Sequence, residues 1–256
     1  WRINVGRCPL YLLDANLPEN PAHYRDLTLR VYGGDSTTRI QQEILLGIGG
    51  VKLLRALGEQ PSVFHMNEGH AAFLALELIR EKMAADTSFD DALAATRSEC
   101  IFTTHTPVPA GHDRFTPELM NYCFSRYQKH LDLNHENLMA LGRLDATDKS
   151  ERFCMTLLAL NTARAANGVS ELHGKVSREM WQEKYEVPVD EVPIGHITNG
   201  IHALGWMSAN ARGFWQSRMG NGPKFFEHIN DPDFWAKAED PDFISDEELW
   251  SLRYRL

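Results

Sequence analysis

The sequence predicts an α/β protein: a Rossmann-like parallel sheet flanked by helices. Three observations predict it. Short apolar runs alternate with stretches of helical period, the order that builds βα repeats. Several helical stretches carry their own start signals, such as Ser88 before Asp90 and Asp91, and Thr116 before Pro117. Finally, three of the apolar runs end in polar turns rich in His, Asn, Gly or Pro: "HMNEGH" (His65 to His70), "TTHTPVPAGH" (Thr103 to His112) and "HITNGIH" (His196 to His202).

The elements follow in order. "WRINVG" reads as a strand, "LYLLD" is a short apolar run, and "LTLRVYGGD" alternates like a strand before a Gly-Gly break. From Thr37 to Leu57 apolar residues recur at helical spacing (Ile40, Ile44, Ile48, Val51), and Gly58 is placed to stop the helix. Gly47, Gly49 and Gly50 inside it each cost about 1 kcal/mol against alanine, which points to another backbone packed closely there. Ser62 to Met66 suits a buried strand and Ala71 to Met83 a helix; "SFDDALAATRSE" is a helix and "CIFTTH" a strand. Pro107 and Pro109 then keep the backbone after His105 extended. "FCMTLLALNTARAANG" and "SELHGKVSREMWQEKY" read as two helices around an Asn167-Gly168 turn, and "IGHITNGIH" as a strand entering a turn. Ser245 and Glu248 form a capping box for a last helix. A chain that opens in a strand and closes within a helix reads as an internal fragment.

Composition excludes some classes. The chain has 256 residues, 43% hydrophobic and 24% charged, enough for a substantial core. A net charge of −9 without a long basic run argues against nucleic acid as partner. No apolar stretch is long enough to span a bilayer, so no membrane role is expected. Cys8, Cys100, Cys123 and Cys154 are scattered, which reads as buried free thiols in a reducing compartment, the cytoplasm.

In open parallel sheets, ligands bind beyond the carboxyl ends of the strands. Residues there that the core does not need are candidates: Asn67, Glu68 and His70 after one strand, His105 and Thr106 after the next, and Asn199 after the last, with "VYGGD" as a fourth such end. Each alone has a plainer role: Asn67 and Glu68 as caps, Asn199-Gly200 as a turn, His105 as a satisfied histidine. Together their amides, imidazoles and carboxylates suit a polyhydroxylated ligand. His65, His70, His105, His112, Glu68 and Asp113 also offer metal ligands, but His65 and His70 lie five apart and no HExxH occurs, so no metal is assigned and metal binding stays the weaker alternative. Trp206, Trp215, Trp235 and Trp250 read mainly as core residues.

"YGGDSTTRIQQEILLGIGGVKLLRALG", "HMNEGHAAFLALELI", "FTTHTPVPAGHDRF", "MTLLALNTARAANGVSELHGKVSREMW" and "HITNGIHALGW", in this order, resemble the α-glucan (glycogen and maltodextrin) phosphorylases, closest to their shorter bacterial and archaeal branch. The likeness covers nearly the whole chain. It implies a two-lobed GT-B fold, with residues 1–199 part of the first lobe and 200–256 the hinge and start of the second. It implies pyridoxal 5′-phosphate in the parent enzyme, with the attachment lysine outside this chain; Lys52 and Lys175 are then surface or packing residues. The implied reaction moves a terminal α-1,4-glucosyl unit to inorganic phosphate with retention, and the isolated chain is expected to be inactive. Carried over by motif, His105 is catalytic, its carbonyl facing the anomeric carbon, and Asn199 binds the 6-hydroxyl with it. Thr106 stands beside them as substrate-binding. Asn67, Glu68 and His70 line the acceptor side, with a glutamate where the family motif has an aspartate. Tyr32 to Asp35 match a mobile gate loop followed by Arg39, with Ser36 where animal members have asparagine. The implied partners are α-1,4-glucan and phosphate, and a homo-oligomer is compatible with them. Two alternatives stay open: a nucleotide-sugar GT-B glycosyltransferase of glycogen-synthase type, and a non-catalytic glucan-binding module.

Overall fold

The computed structural model describes residues 1–31, 34–220, 223–229, 231–240 and 242–256. Strands β1 (Arg2–Val5) and β2 (Cys8–Tyr11) form an antiparallel hairpin that turns at Gly6, whose φ of +58° suits glycine. Cys8 lies on this hairpin and is exposed, against expectation; Cys100 and Cys154 are buried and Cys123 is half-buried. The strand expected over "LTLRVYGGD" does not form in its described part. The Leu27 and Leu29 N–H groups bond locally to Tyr24 and Asp26 carbonyls, and the Gln42 side chain takes the Leu27 and Arg30 carbonyls. With these groups occupied and Leu29 and Val31 exposed, no strand edge is left to pair.

Helix α1 (Ser36–Ala56) begins where Asp35 Oδ1 accepts the Thr38 N–H at 2.9 Å and ends before Gly58, φ +78°. One glycine explains the close approach anticipated there. A Cβ on Gly47 would stand 2.7 Å from the Leu74 nitrogen, so α1 rests backbone to backbone on the next layer. Gly50 faces open space and has no such reason.

The centre of residues 1–198 is a four-stranded parallel sheet: β3 (Phe64–Asn67), β4 (Cys100–Thr103), β7 (Ala165–Gly168) and β8 (Ile194–His196), in the order β3-β4-β7-β8. Between them run α2 (Leu74–Met83), α3 (Phe89–Glu99), α4 (Pro117–Phe124), α5 (Met155–Thr162) and α6 (Glu171–Tyr185), with a two-stranded antiparallel pair β5 (Arg114–Phe115) and β6 (Phe153–Cys154). The strand order advances in one direction without reversal. Right-handed crossovers then place the connecting helices on one face. Burial agrees: Phe64, Met66, Cys100, Phe102 and Ile194 point into the core, where α5 packs on β4 and α6 on β7 and β8. The opposite face, where the register lines up Asn67, Thr103, Asn167 and Gly195, carries the polar side chains.

Two further expectations are corrected. Asn167-Gly168 is not a turn between helices; it ends the central strand β7, paired on both sides. "AANG" has no β-branched or aromatic residue to signal a strand, and tertiary pairing overrides that propensity. Pro109 does not extend the chain but opens a 3₁₀ turn, Pro109–Gly111, its fixed φ being as suited to a first helical position as to an extended one.

Residues 199–256 form a second compact unit. It holds α7 (Ala209–Met219) and α8 (Asp246–Tyr254), the latter with the anticipated capping box of Ser245 and Glu248. Arg218 on α7 pairs with Glu248. Trp215 packs edge-on against Trp235 at 5.1 Å, and both are half-buried. Trp206 and Trp250 do not join it and are 86% and 69% exposed, so their reading as core residues is overturned. Among the described residues no helix is long and apolar enough to cross a membrane.

Candidate functional site

The carboxyl ends of β3 and β4 are adjacent, with Asn67 opposite Thr103. Immediately beyond them the chain turns twice, and one carboxylate joins the turns. The Glu68 N–H continues the ladder to the Thr103 carbonyl at 2.8 Å. Its side chain then accepts three hydrogen bonds: the Gly69 N–H on Oε1 at 3.0 Å, and the His105 N–H at 2.7 Å and Thr106 Oγ1 at 2.9 Å on Oε2. Glu68 has φ +70° and ψ 169°, a region that residues other than glycine rarely enter. His105 is exposed, and no described residue donates to its carbonyl oxygen. Asn67 is exposed beside it.

A polar row crosses the sheet one step back from these turns. Thr103 Oγ1 donates to Asn167 Oδ1 at 3.0 Å and lies 2.8 Å from His65 Nε2, so the threonine oxygen accepts and His65 carries its proton on Nε2. Asn167 Nδ2 in turn donates to the Gly168 carbonyl. The row holds β3, β4 and β7 in register at their ends. Thr103 and Asn167 escaped sequence reasoning because β7 itself did.

His70, Arg39 and Asp113 come together with a residue the sequence did not single out, Glu43. Arg39 Nη2 lies 3.2 Å from Glu43 Oε1, 3.0 Å from His70 Nδ1 and 2.8 Å from Asp113 Oδ2. The i, i+4 spacing of Arg39 and Glu43 on α1 was the only signal for Glu43. Burial pushes the Glu43 carboxyl up to about 8, against the opposing pull of His70. Hydrogen bonds that its ring donates to the Asp113 and Glu43 carboxyl oxygens raise His70 to about 9. Burial would raise Asp113, but hydrogen bonds from His70, Arg39 and Glu43 outweigh it and hold it well below the usual carboxylate range. Glu43, His70 and Asp113 have the ligand types for a metal and their ligand atoms lie within 4.8 Å of one another. The guanidinium nitrogen of Arg39 lies within hydrogen-bond distance of all three and already supplies the positive charge. Arg39, Glu43 and His70 also line a cavity of about 390 Å³, walled on one part by Leu12, Leu13, Leu45 and Leu53 and on another by Thr28, Arg30 and Gln42.

The remaining predicted site residues fall as follows. Asp35 caps α1, and Arg39 Nη1 donates to the Val31 carbonyl at 3.3 Å, tying the start of the helix to the segment before it. Tyr32 lies outside the described residues. Asn199 opens the second unit and is exposed.

Residues 52–221 match the family described as carbohydrate phosphorylase. The chain is 48% identical over 219 residues to a glycogen phosphorylase of Mycobacterium tuberculosis, covering 80% of this chain and 25% of the relative. It is 40% identical over 252 residues to a maltodextrin phosphorylase of Thermococcus litoralis, covering 98% and 29%. A glycogen phosphorylase of Aquifex aeolicus is 32% identical over 255 residues, covering 100% and 36%. The chain thus spans about a quarter to a third of the length of these relatives.

Proposed function

This chain belongs to the carbohydrate phosphorylase family, and from that premise we propose that it supplies the glucosyl-binding strand ends of an α-1,4-glucan phosphorylase. The whole protein breaks the C1–O bond of a terminal α-1,4-linked glucosyl unit and forms a C1–O bond to inorganic phosphate, reversibly and with retention, releasing glucose 1-phosphate. Residues 1–199 belong to the first lobe of a two-lobed GT-B enzyme and 200–256 to the hinge and start of the second. It acts in the cytoplasm, without nucleic acid or membrane as partner.

One observation carries the reading. His105 is exposed, the Glu68 carboxylate accepts hydrogen bonds on both sides of the His105 carbonyl, from the His105 N–H and the Thr106 hydroxyl, and that carbonyl oxygen is left without a donor among the described residues. A fixed carbonyl dipole stabilises positive charge growing on an anomeric carbon, and because it is already oriented it costs no reorganisation during reaction. The His105 ring and Asn199 bind the 6-hydroxyl, Thr106 sits beside them, and Asn67 faces the acceptor side. His70, Arg39 and Asp35 act at one remove, tying Val31 and the start of α1 to the strand ends.

Such an enzyme uses pyridoxal 5′-phosphate. The residues gathered at these strand ends do not fit its attachment, because none is a lysine: Lys52 and Lys175 are exposed on helices and Lys184 bonds to Asn161. No step is therefore assigned to this chain through that group.

A glucan-binding role without catalysis rests on one observation, the exposed Trp250 and Tyr254 one helical turn apart on α8. Two measurements decide. The chain alone, given maltoheptaose, phosphate and pyridoxal 5′-phosphate, releases no glucose 1-phosphate, and product above background overturns the proposal for the fragment. In a protein carrying this segment at the full length of its relatives, His105→Ala lowers kcat at least about tenfold while Trp250→Ala leaves it unchanged. The opposite pattern favours the binding module.

A further inference from the structure

We infer that Glu68 is a positioning residue that fixes the backbone on either side of the His105 carbonyl, through the His105 N–H and the Thr106 hydroxyl, and is not a group that touches the sugar. The inference deepens the phosphorylase reading and rests on it for its catalytic consequence.

Three facts carry it. Three protein donors meet the carboxylate: the Gly69 N–H, the His105 N–H and the Thr106 hydroxyl, all at 3.0 Å or less. Both oxygens are therefore engaged inward, with one of them bridging two successive residues of the loop after β4. Next, His105 is exposed and lies beyond the sheet ladder, which ends with the Thr104 N–H on the Asn167 carbonyl; the Thr106 N–H, in the same peptide as the His105 carbonyl, reaches only Thr104 Oγ1 at 3.4 Å. The Glu68 carboxylate is the partner that the His105 N–H has. Last, Glu68 adopts φ +70° and ψ 169°, which glycine would occupy without strain. The other non-glycine residues at positive φ with a described ψ, Asp132 and Glu186, lie in the ordinary left-handed region near ψ 35° at helical ends. A side chain kept in the glycine-only region must do something there that glycine cannot. Here that is to hold the next strand's turn.

The strain makes the roles separable. Glu68→Gly removes the carboxylate and relieves the backbone, so the fold keeps its thermal midpoint while His105 loses its anchor. Glu68→Gln keeps an acceptor for the His105 N–H but loses the charge and offers an amide N–H₂ to one of the remaining donors. A hydrogen bond to a charged group corresponds to about a tenfold to hundredfold change in an opening equilibrium. Amide exchange of His105 in the chain without substrate is therefore expected to quicken by that factor in Glu68→Gly and by less in Glu68→Gln, with the exchange of Phe102 unchanged. Equal His105 exchange in all three forms overturns the positioning role, whatever the enzyme's reaction is. In the full-length protein, kcat is expected to fall in the order wild type, Glu68→Gln, Glu68→Gly, with the KM for glucan held. A rise in KM at constant kcat assigns Glu68 to sugar contact and overturns the inference. Altered exchange without any phosphorolysis in wild type leaves the positioning standing and defeats the phosphorylase reading alone.

Discussion

Glu43 shows how far a single buried side chain can shape the response of the chain to pH. It is 1% exposed, and burial holds its proton to about 8, where the unfolded chain releases it near the ordinary 4.5. Between those values the folded state binds more protons, so stability falls as pH rises. His70 adds to the same side. Its contribution is complete below the ordinary 6.5 and is lost as pH rises through about 9. Asp113 works in reverse: its lowered value contributes stability above the ordinary 3.8 that is lost as pH falls. Urea midpoints should therefore decline from about pH 5 to 9, and Glu43→Gln should flatten the part below about 8 while the His70 part persists. A flat wild-type profile across that range contradicts the assignment. A second buried acid needs no such titration. Glu77, wholly buried, meets Arg80 at 2.7 Å and the Tyr127 hydroxyl at 2.5 Å. Burial would raise its carboxyl, but these partners lower it, while burial and Glu77 push the Tyr127 hydroxyl up. Tyr127→Phe is expected to cost about 1–3 kcal/mol by denaturant unfolding, because it removes one donor from a buried carboxylate.

At the scale of elements, the ends of helices were easier to read than the strands between them. Asp90 and Asp91 follow Ser88, whose Oγ accepts the Asp91 N–H at 3.2 Å; Ser88→Ala should cost about 1 kcal/mol. Such caps depend on a few consecutive residues, so local sequence suffices. β7 depends instead on partners far along the chain: Ala166 pairs with Phe102 on one side and Ile194 on the other. "LTLRVYGGD" is the converse case, a strand-like pattern whose carbonyls were taken by Gln42 from α1. Gly47 belongs to the same scale. Gly47→Ala would drive a Cβ to 2.7 Å from the Leu74 backbone, and overpacking of this kind costs about 1–3 kcal/mol. Gly50→Ala, with open space around it, should instead stabilise α1. Thermal unfolding of the two variants should move in opposite directions, and parallel shifts would refute the packing account.

At the scale of the molecule, the boundary between the units falls at Thr198–Asn199, in a stretch from Ile197 to His202 that is exposed and without regular structure. Exposed links of this kind are where proteases act first. Limited proteolysis should release residues 1 to about 197 as a resistant product, and a first cut inside β3 to β8 would count against the division. What the sequence determined unaided was the alternation of elements, the caps, and three polar turns after apolar runs, because each is written in a short local pattern. It also carried the family likeness, through five motifs in one order. It named His105, Thr106, Asn67 and Glu68 as neighbours, since each closes a predicted strand. What only the tertiary structure decided was which way those groups face. Glu68 is turned toward protein donors, His70 toward Arg39 and Asp113, and β7 stands between β4 and β8. Hydrogen bonds between residues 30 to 75 positions apart set those directions, and no local pattern encodes a partner at that distance.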